Sequence, residues 1–199
     1  MPNTQPPIIL ASSSPYRREL LARLRVQFTH ISPDIDESAI DGESPEELAL
    51  RLATEKATII AHRHTSPALV IGSDQVASLK GQVLTKPGNF ERAVQQLEQC
   101  SAQAVTFFTG LVLINSGTGK IQYCVEPFTV HFRTLTRNEI TTYLELEQPF
   151  DCAGSFKVEG LGISLFEKLA GNDPNSLIGL PLIQLINFLS KEGINILDN

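Results

Sequence analysis

A mixed α/β fold is what this sequence predicts, on three observations. Helix-like and strand-like segments alternate along all 199 residues with no internal repeat, low-complexity tract or Pro/Ser linker. Capping boxes mark the starts of two helices, and the segments between helices are rich in β-branched and aromatic residues bounded by turn residues. Charged residues also gather at element ends, as they do where α/β proteins build their sites; a sheet pinched into two lobes around a cleft is one arrangement open to such a chain.

Residues 8–12 read as a strand and 15–25 as a helix. Ser14 can cap that helix, with Pro15 at its first position, Glu19 on its polar face and Leu20, Leu21 and Leu24 on its buried face. This leaves Arg17 and Arg18 unexplained, because basic side chains in a first turn oppose the helix dipole unless an anion or carboxylate lies close. A Ser-rich strand-to-helix turn also leaves backbone N–H groups pointing into a common space, which suits a phosphate.

A short strand near QFTHISP and a loop, DIDESAIDGE, lead to the first capping box, formed by Ser44, Pro45 and Glu47, with a helix running through ELALRLATEKATIIAHR. ALVIGSDQVASLKGQVL alternates like a strand or hairpin turning at Gly81, and helix returns over 89–100. Residues 105–135 predict a hairpin turning at NSGTGK and a third strand. SGTGK is not a P-loop, since Ile114 and Ile121 stand where that motif needs Gly and Ser or Thr. Thr136 and Glu139 cap a helix to about Glu147; DCAGSFKVEGLG is a Gly-rich loop before the strand-like ISLFEKL; and LIGLPLIQLINFLSKEG reads as one final amphipathic helix ending at Gly193.

Sixteen basic against 22 acidic residues give a formal charge of −6, and no basic tract marks a nucleic-acid surface. A polyanionic substrate must then be met by a local cluster of Lys and Arg. MPNTQPPIILA lacks the basic start and apolar core of a signal peptide, and no apolar run reaches the length of a membrane span, so a cytoplasmic protein is expected. Cys100, Cys124 and Cys152 are odd in number and unpaired in spacing, and read as buried small hydrophobes. His62 and His64 point to different helix faces and do not share a metal.

The chemistry-bearing candidates lie at element ends: Arg17 and Arg18, Asp34 to Glu37 in PDIDES, Asp74 at the end of the buried-looking LVIGSD, and Lys86 in LTKPG. Each has a plainer alternative: Asp74 as a turn cap, Lys86 as a solvated loop residue, Lys56 as a polar-face helix residue. Together they suit phosphoanhydride hydrolysis. Carboxylates such as Asp74 and Glu37 can hold a divalent cation or activate water, while Arg17, Arg18, Lys56 and Lys86 neutralise a polyphosphate.

LASSSPYRRELL, PDIDES, ATEKA, IGSDQV, TKP, CAGSFKVEGLG and GLP follow one another in the order and approximate spacing of the Maf family of nucleotide pyrophosphatases, which the chain resembles over essentially its whole length. The combination of blocks is specific, whereas any one alone is weak. The resemblance implies a single domain over 1–199, an elongated mixed sheet flanked by helices with two lobes around a central cleft, and a likeness to inosine triphosphate pyrophosphatases. It implies hydrolysis of a nucleoside triphosphate to the monophosphate and diphosphate, with Mg²⁺ or Mn²⁺ as cofactor. Asp74 would be the general base, Ser12, Arg17, Arg18, Lys56 and Lys86 phosphate contacts, and Glu37 and Asp74 candidate metal ligands. Within the family the chain resembles the subgroup that favours 7-methyl-GTP. In the subgroup cleaving dTTP and UTP, Arg, Thr and Gln occupy the positions that hold Tyr16, Gln75 and Glu159 here. These three would set substrate specificity, although Tyr16 could merely pack on its helix and Glu159 could be a solvated loop residue.

A nucleotide is the expected partner, with no nucleic acid and no membrane; the assembly is open, a homodimer being one option. Two further readings also stay open: a dTTP or UTP pyrophosphatase, and a nucleotide-binding regulator of cell division, since the family is also associated with septum arrest.

Overall fold

The computed structural model describes residues 5–198, so the first four residues of the segment read as lacking a signal peptide lie outside the described residues. One seven-stranded sheet organises the chain. Its strands are β1 (Ile8–Ala11), β2 (Phe28–Ile31), β3 (Leu69–Leu79), β4 (Gln82–Leu84), β5 (Ala104–Asn115), β6 (Lys120–Phe132) and β7 (Phe166–Gly171), in the order β2-β1-β3-β5-β6-β7 with β4 on β3. β1 is parallel to β2 and β3, and all other pairs are antiparallel, so the sheet is mixed as expected. Helices α1 (Pro15–Ala22), α2 (Pro45–Arg63), α3 (Phe90–Cys100), α4 (Arg137–Glu147), α5 (Pro174–Ile178) and α6 (Leu182–Ser190) flank it.

Residue alternation on the strands explains the layering. Ile8, Leu10, Leu69, Ile71, Leu111 and Leu113 face one side, where Leu20 and Leu21 of α1 and Leu185 and Phe188 of α6 cover them. Ile9, Val70 and Val112 face the other, against Ala53, Ala57 and Ile60 of α2. Further along the same long strands, Ala77, Phe107, Phe128 and Val130 build a separate core with Leu97 of α3 and Ile140 and Leu144 of α4. The first two clusters, on opposite faces of one half of the sheet, make one lobe and the third makes the other, with Asp74 and Gln75 of β3 between them.

Both capping boxes are present: Ser44 with Glu47, and Thr136 with Glu139. The β3–β4 hairpin turns at Lys80 and Gly81, both at positive φ, the conformation that a tight hairpin demands. Three expectations need correction. The segment 105–135 holds two long strands and no third, because β6 continues through Pro127, whose outer edge is unpaired until β7 joins at Phe128. The strand expected at ISLFEKL begins only at Phe166, after a 3₁₀ turn over Leu161–Leu165. The single C-terminal helix is two helices: Gly179, at φ +122°, ends α5, and Pro181 starts α6. The buried Asp173 carboxylate joins them, accepting from the Asn175 amide at 2.9 Å and the Ile183 amide at 2.7 Å. Among the described residues, no helix is long and apolar enough to cross a membrane.

Candidate active site

A cleft of about 360 Å³ opens between the lobes, lined by four basic side chains (Arg17, Lys56, Lys86, Lys157) and four acidic ones (Glu37, Asp74, Asp151, Glu159). Its floor is set by how closely α2 lies on the sheet. Gly72 and Gly110 face Ala49, Ala53 and Ala57, and a Cβ on either glycine would run into an α2 backbone carbonyl, that of Ala53 or Ala49. Small residues on both surfaces let the helix approach, and the approach carries Lys56 to Asp74. Lys56 is therefore a buried side chain rather than a polar-face residue; its Nζ donates to Asp74 Oδ1 at 2.5 Å and pairs with Glu37 Oε1 at 2.6 Å.

The SSSP turn forms the adjoining wall. Ser12 is buried, and its Oγ accepts from the Ser14 amide at 3.1 Å; Ser14 in turn caps α1 by accepting from the Arg17 amide. Arg17 reaches across to donate from Nε to the Gly179 carbonyl at 2.8 Å, the same carbonyl that accepts from Ser73 Oγ at 3.0 Å. The break between α5 and α6 is what presents that carbonyl. Burial lowers the Arg17 pKa, and the charges of Asp74 and Glu37 oppose the shift. The carboxylates that a basic first turn requires are thus supplied by β3 and by the loop after β2. Burial acts to raise the Glu37 carboxyl, but its hydrogen bond to Lys56 and the charges of Lys56, Lys86 and Arg17 prevail and hold it below the usual carboxylate range.

At the other end of the cleft, Tyr16 meets the loop that carries Asp151, Cys152, Lys157 and Glu159. Burial raises the Tyr16 pKa, Lys157 works against this, and Cys152, Asp151 and Glu159 add to it. Lys157 Nζ lies 3.9 Å from Asp151 Oδ1. The Cys152 thiol is pushed up to about 12, chiefly by burial and then by Asp151, so it stays protonated at neutral pH. Phe107 and Phe156, edge to face at 5.3 Å between centroids, floor this end.

Of the residues expected to form a site, Ser12, Tyr16, Arg17, Glu37, Lys56, Asp74, Gln75, Lys86 and Glu159 all line this cleft. Arg18 does not; its Nη1 lies 3.1 Å from His30 Nε2 on the surface. Gln75 lines the cleft with its amide nitrogen already spent, donating to the Ser176 and Leu177 carbonyls at 2.7 and 3.0 Å, so it braces α5 against β3.

Residues 7–192 match the family described as Maf-like protein. The chain belongs to the Maf family. A protein of Pseudomonas putida named 7-methyl-GTP pyrophosphatase is 58% identical over 188 residues, which are 94% of this chain and 97% of that protein. One of Alcanivorax borkumensis bearing the same name is 53% identical over 98% of this chain and 99% of its own length. The structure of the Staphylococcus aureus Ham1 protein shares the fold, with a TM-score of 0.51 at 14% identity over 93% of this chain and 98% of that one.

Sequence reasoning on this Maf protein missed Lys157, Asp151, Cys152 and the two phenylalanines of the cleft. Lys157 was within reach, because it stands two residues before Glu159 in the CAGSFKVEGLG block. Cys152 was expected to be core, and only Cys100 of the three cysteines is fully buried. Among the described residues, no three His, Cys, Asp or Glu side chains cluster closely enough to hold a metal by themselves. Glu37 and Asp74, both gathered on Lys56, offer two hard oxygen donors, which fits an Mg²⁺ or Mn²⁺ ion completed by substrate phosphates and water.

Proposed function

We propose that this chain, acting as one domain over 1–199, hydrolyses 7-methyl-GTP to 7-methyl-GMP and diphosphate. The observation that carries the reading is Lys56 drawn between Asp74 and Glu37, opposite Arg17, in a cleft whose far end pairs an aromatic face with carboxylates. The names and near-full-length identity of the relatives support it.

In this reading the triphosphate lies along Arg17, Lys86, the Ser12 hydroxyl and the Ser13 amide, the Ser12 and Ser14 amides being held by the Leu10 carbonyl and Ser12 Oγ, so that cationic and polar hydrogen groups offset its charge. Asp74, oriented by the Lys56 ammonium, takes the proton of a water attacking phosphorus. The α–β phosphoanhydride bond breaks, and the electron pair leaves with diphosphate, whose growing charge Lys86 and Arg17 meet. A divalent cation, held by Glu37 and Asp74, would add charge neutralisation on the phosphate oxygens.

Methylation at N7 leaves the guanine ring positively charged. Tyr16 offers it a π face, and Glu159 and Asp151 offer negative charge, which a neutral pyrimidine would not need. The test is diphosphate release by purified protein with Mg²⁺ across 7-methyl-GTP, GTP, dTTP and UTP. The highest kcat/KM is expected for 7-methyl-GTP; a clear preference for dTTP or UTP, or no turnover of any nucleotide, would overturn the reading.

A further inference from the structure

We propose that Arg51 is the positioning residue that holds Glu37 in the cleft, an inference that rests on the role given to Glu37 above. Glu37 belongs to the loop of residues 32–44, which has no helix or strand of its own, and its side chain is exposed. Left to itself, such a segment would sample many conformations and would seldom keep a carboxylate 2.6 Å from Lys56.

Arg51 supplies the constraint from α2, five residues before Lys56. Its Nη2 donates to the backbone carbonyl of Ser38 at 2.9 Å, next in sequence to Glu37. Its Nε and Nη2 grip both carboxylate oxygens of Glu43, near the end of the same loop, at 2.7 and 2.9 Å. Its Nη1 donates to Glu55 at 3.0 Å, which fixes the guanidinium to its own helix. The Glu43 carboxylate also accepts from the Ile40 amide at 3.2 Å and so closes the loop on itself. One planar fork thus fixes the loop on both sides of Ile40, a geometry that the single ammonium of lysine cannot reproduce. Arg51 itself is absent from the lining of the cleft, so its influence on a bound nucleotide would run through Glu37.

Two readouts on the whole protein test this. Amide hydrogen exchange over residues 34–43 should speed up by about tenfold or more in Arg51→Met, with the strands of the sheet unaffected, and Arg51→Lys should restore it only in part. In steady-state kinetics, Arg51→Met should lower kcat/KM by about tenfold alone and add almost nothing in a Glu37→Gln background, as expected of residues acting as one unit. Unchanged loop exchange, full restoration by Arg51→Lys, or losses that multiply in the double variant would each overturn the proposal. A Glu37→Gln protein with wild-type kcat/KM would instead remove Glu37 from the mechanism, and loop exchange would still decide whether Arg51 is the tether.

Discussion

The two ends of the cleft are built differently. At the Lys56 end, three charged groups stand on regular elements, Asp74 within β3, Lys56 on α2 and Arg17 on α1, two of these side chains being buried, while Glu37 and Lys86 join them from loops, and the contacts run from 2.5 to 2.8 Å. At the Tyr16 end, Asp151 and Glu159 are exposed on either side of the 3₁₀ turn Ala153–Ser155, outside any helix or strand, and the ion contact there is 3.9 Å. Reactions of phosphate need fixed charge at fixed distance, which strands and packed helices provide; discrimination between bases tolerates a loop whose side chains can change. The first end resists substitution because its geometry is shared with the core. At the second, the exposed side chains of Asp151 and Glu159 can vary without loss of the fold, although Phe107 and Phe156 beneath them belong to the core.

The largest effect should come from Asp74→Asn. The amide keeps the shape but cannot take a proton, so hydrolysis should fall by orders of magnitude while nucleotide affinity stays within about tenfold. Near-wild-type turnover would move the chemistry away from the Lys56 end. Next is Gly110→Ala, whose Cβ would collide with the Ala49 carbonyl and push α2 off the sheet. Thermal or denaturant unfolding should show a loss of about 1–3 kcal/mol, accompanied by lower turnover as Lys56 leaves Asp74. An unchanged stability would mean that the close approach of α2 is not what sets the floor. A smaller effect concerns pH. A carboxylate held below its usual range contributes stability that is present above its unfolded pKa, about 4.3, and is lost as pH falls through its lower folded value. The acid limb of the melting temperature should therefore flatten slightly in Glu37→Gln relative to wild type. Identical limbs would show that the Lys56 contact is not maintained in solution.

Much of the Lys56 end was legible in the sequence, with Ser14 at a cap and Lys86 before Pro87, while Asp74 was singled out as the end of a strand and lies instead inside β3, which runs on to Leu79. Lys56 was legible as a candidate but not as a buried one, since its burial depends on glycines in two other strands. Arg51 gave no signal as a tether, because the helical pattern connects it only to Glu55 at i+4, and not to the Ser38 carbonyl or to the Glu43 carboxylate eight residues away. The split between α5 and α6 was hidden by apolar residues that keep a helical rhythm across Gly179 and Pro181. Gln75 was expected to set specificity by position alone, and the structure commits its donors to the backbone of α5. The loop at the Tyr16 end was recognised as a block, but its contents could not be ranked without knowing which side chains turn inward.

The division of labour between the two ends is tested most directly by kcat/KM of the Glu159→Gln protein on 7-methyl-GTP, GTP and UTP. Removing one negative charge from the Tyr16 end should cost 7-methyl-GTP about 1–3 kcal/mol of transition-state stabilisation relative to the two nucleotides with neutral bases. Equal losses on all three would mean that Glu159 serves the fold or the phosphates, and would contradict the assignment of base choice to that end of the cleft.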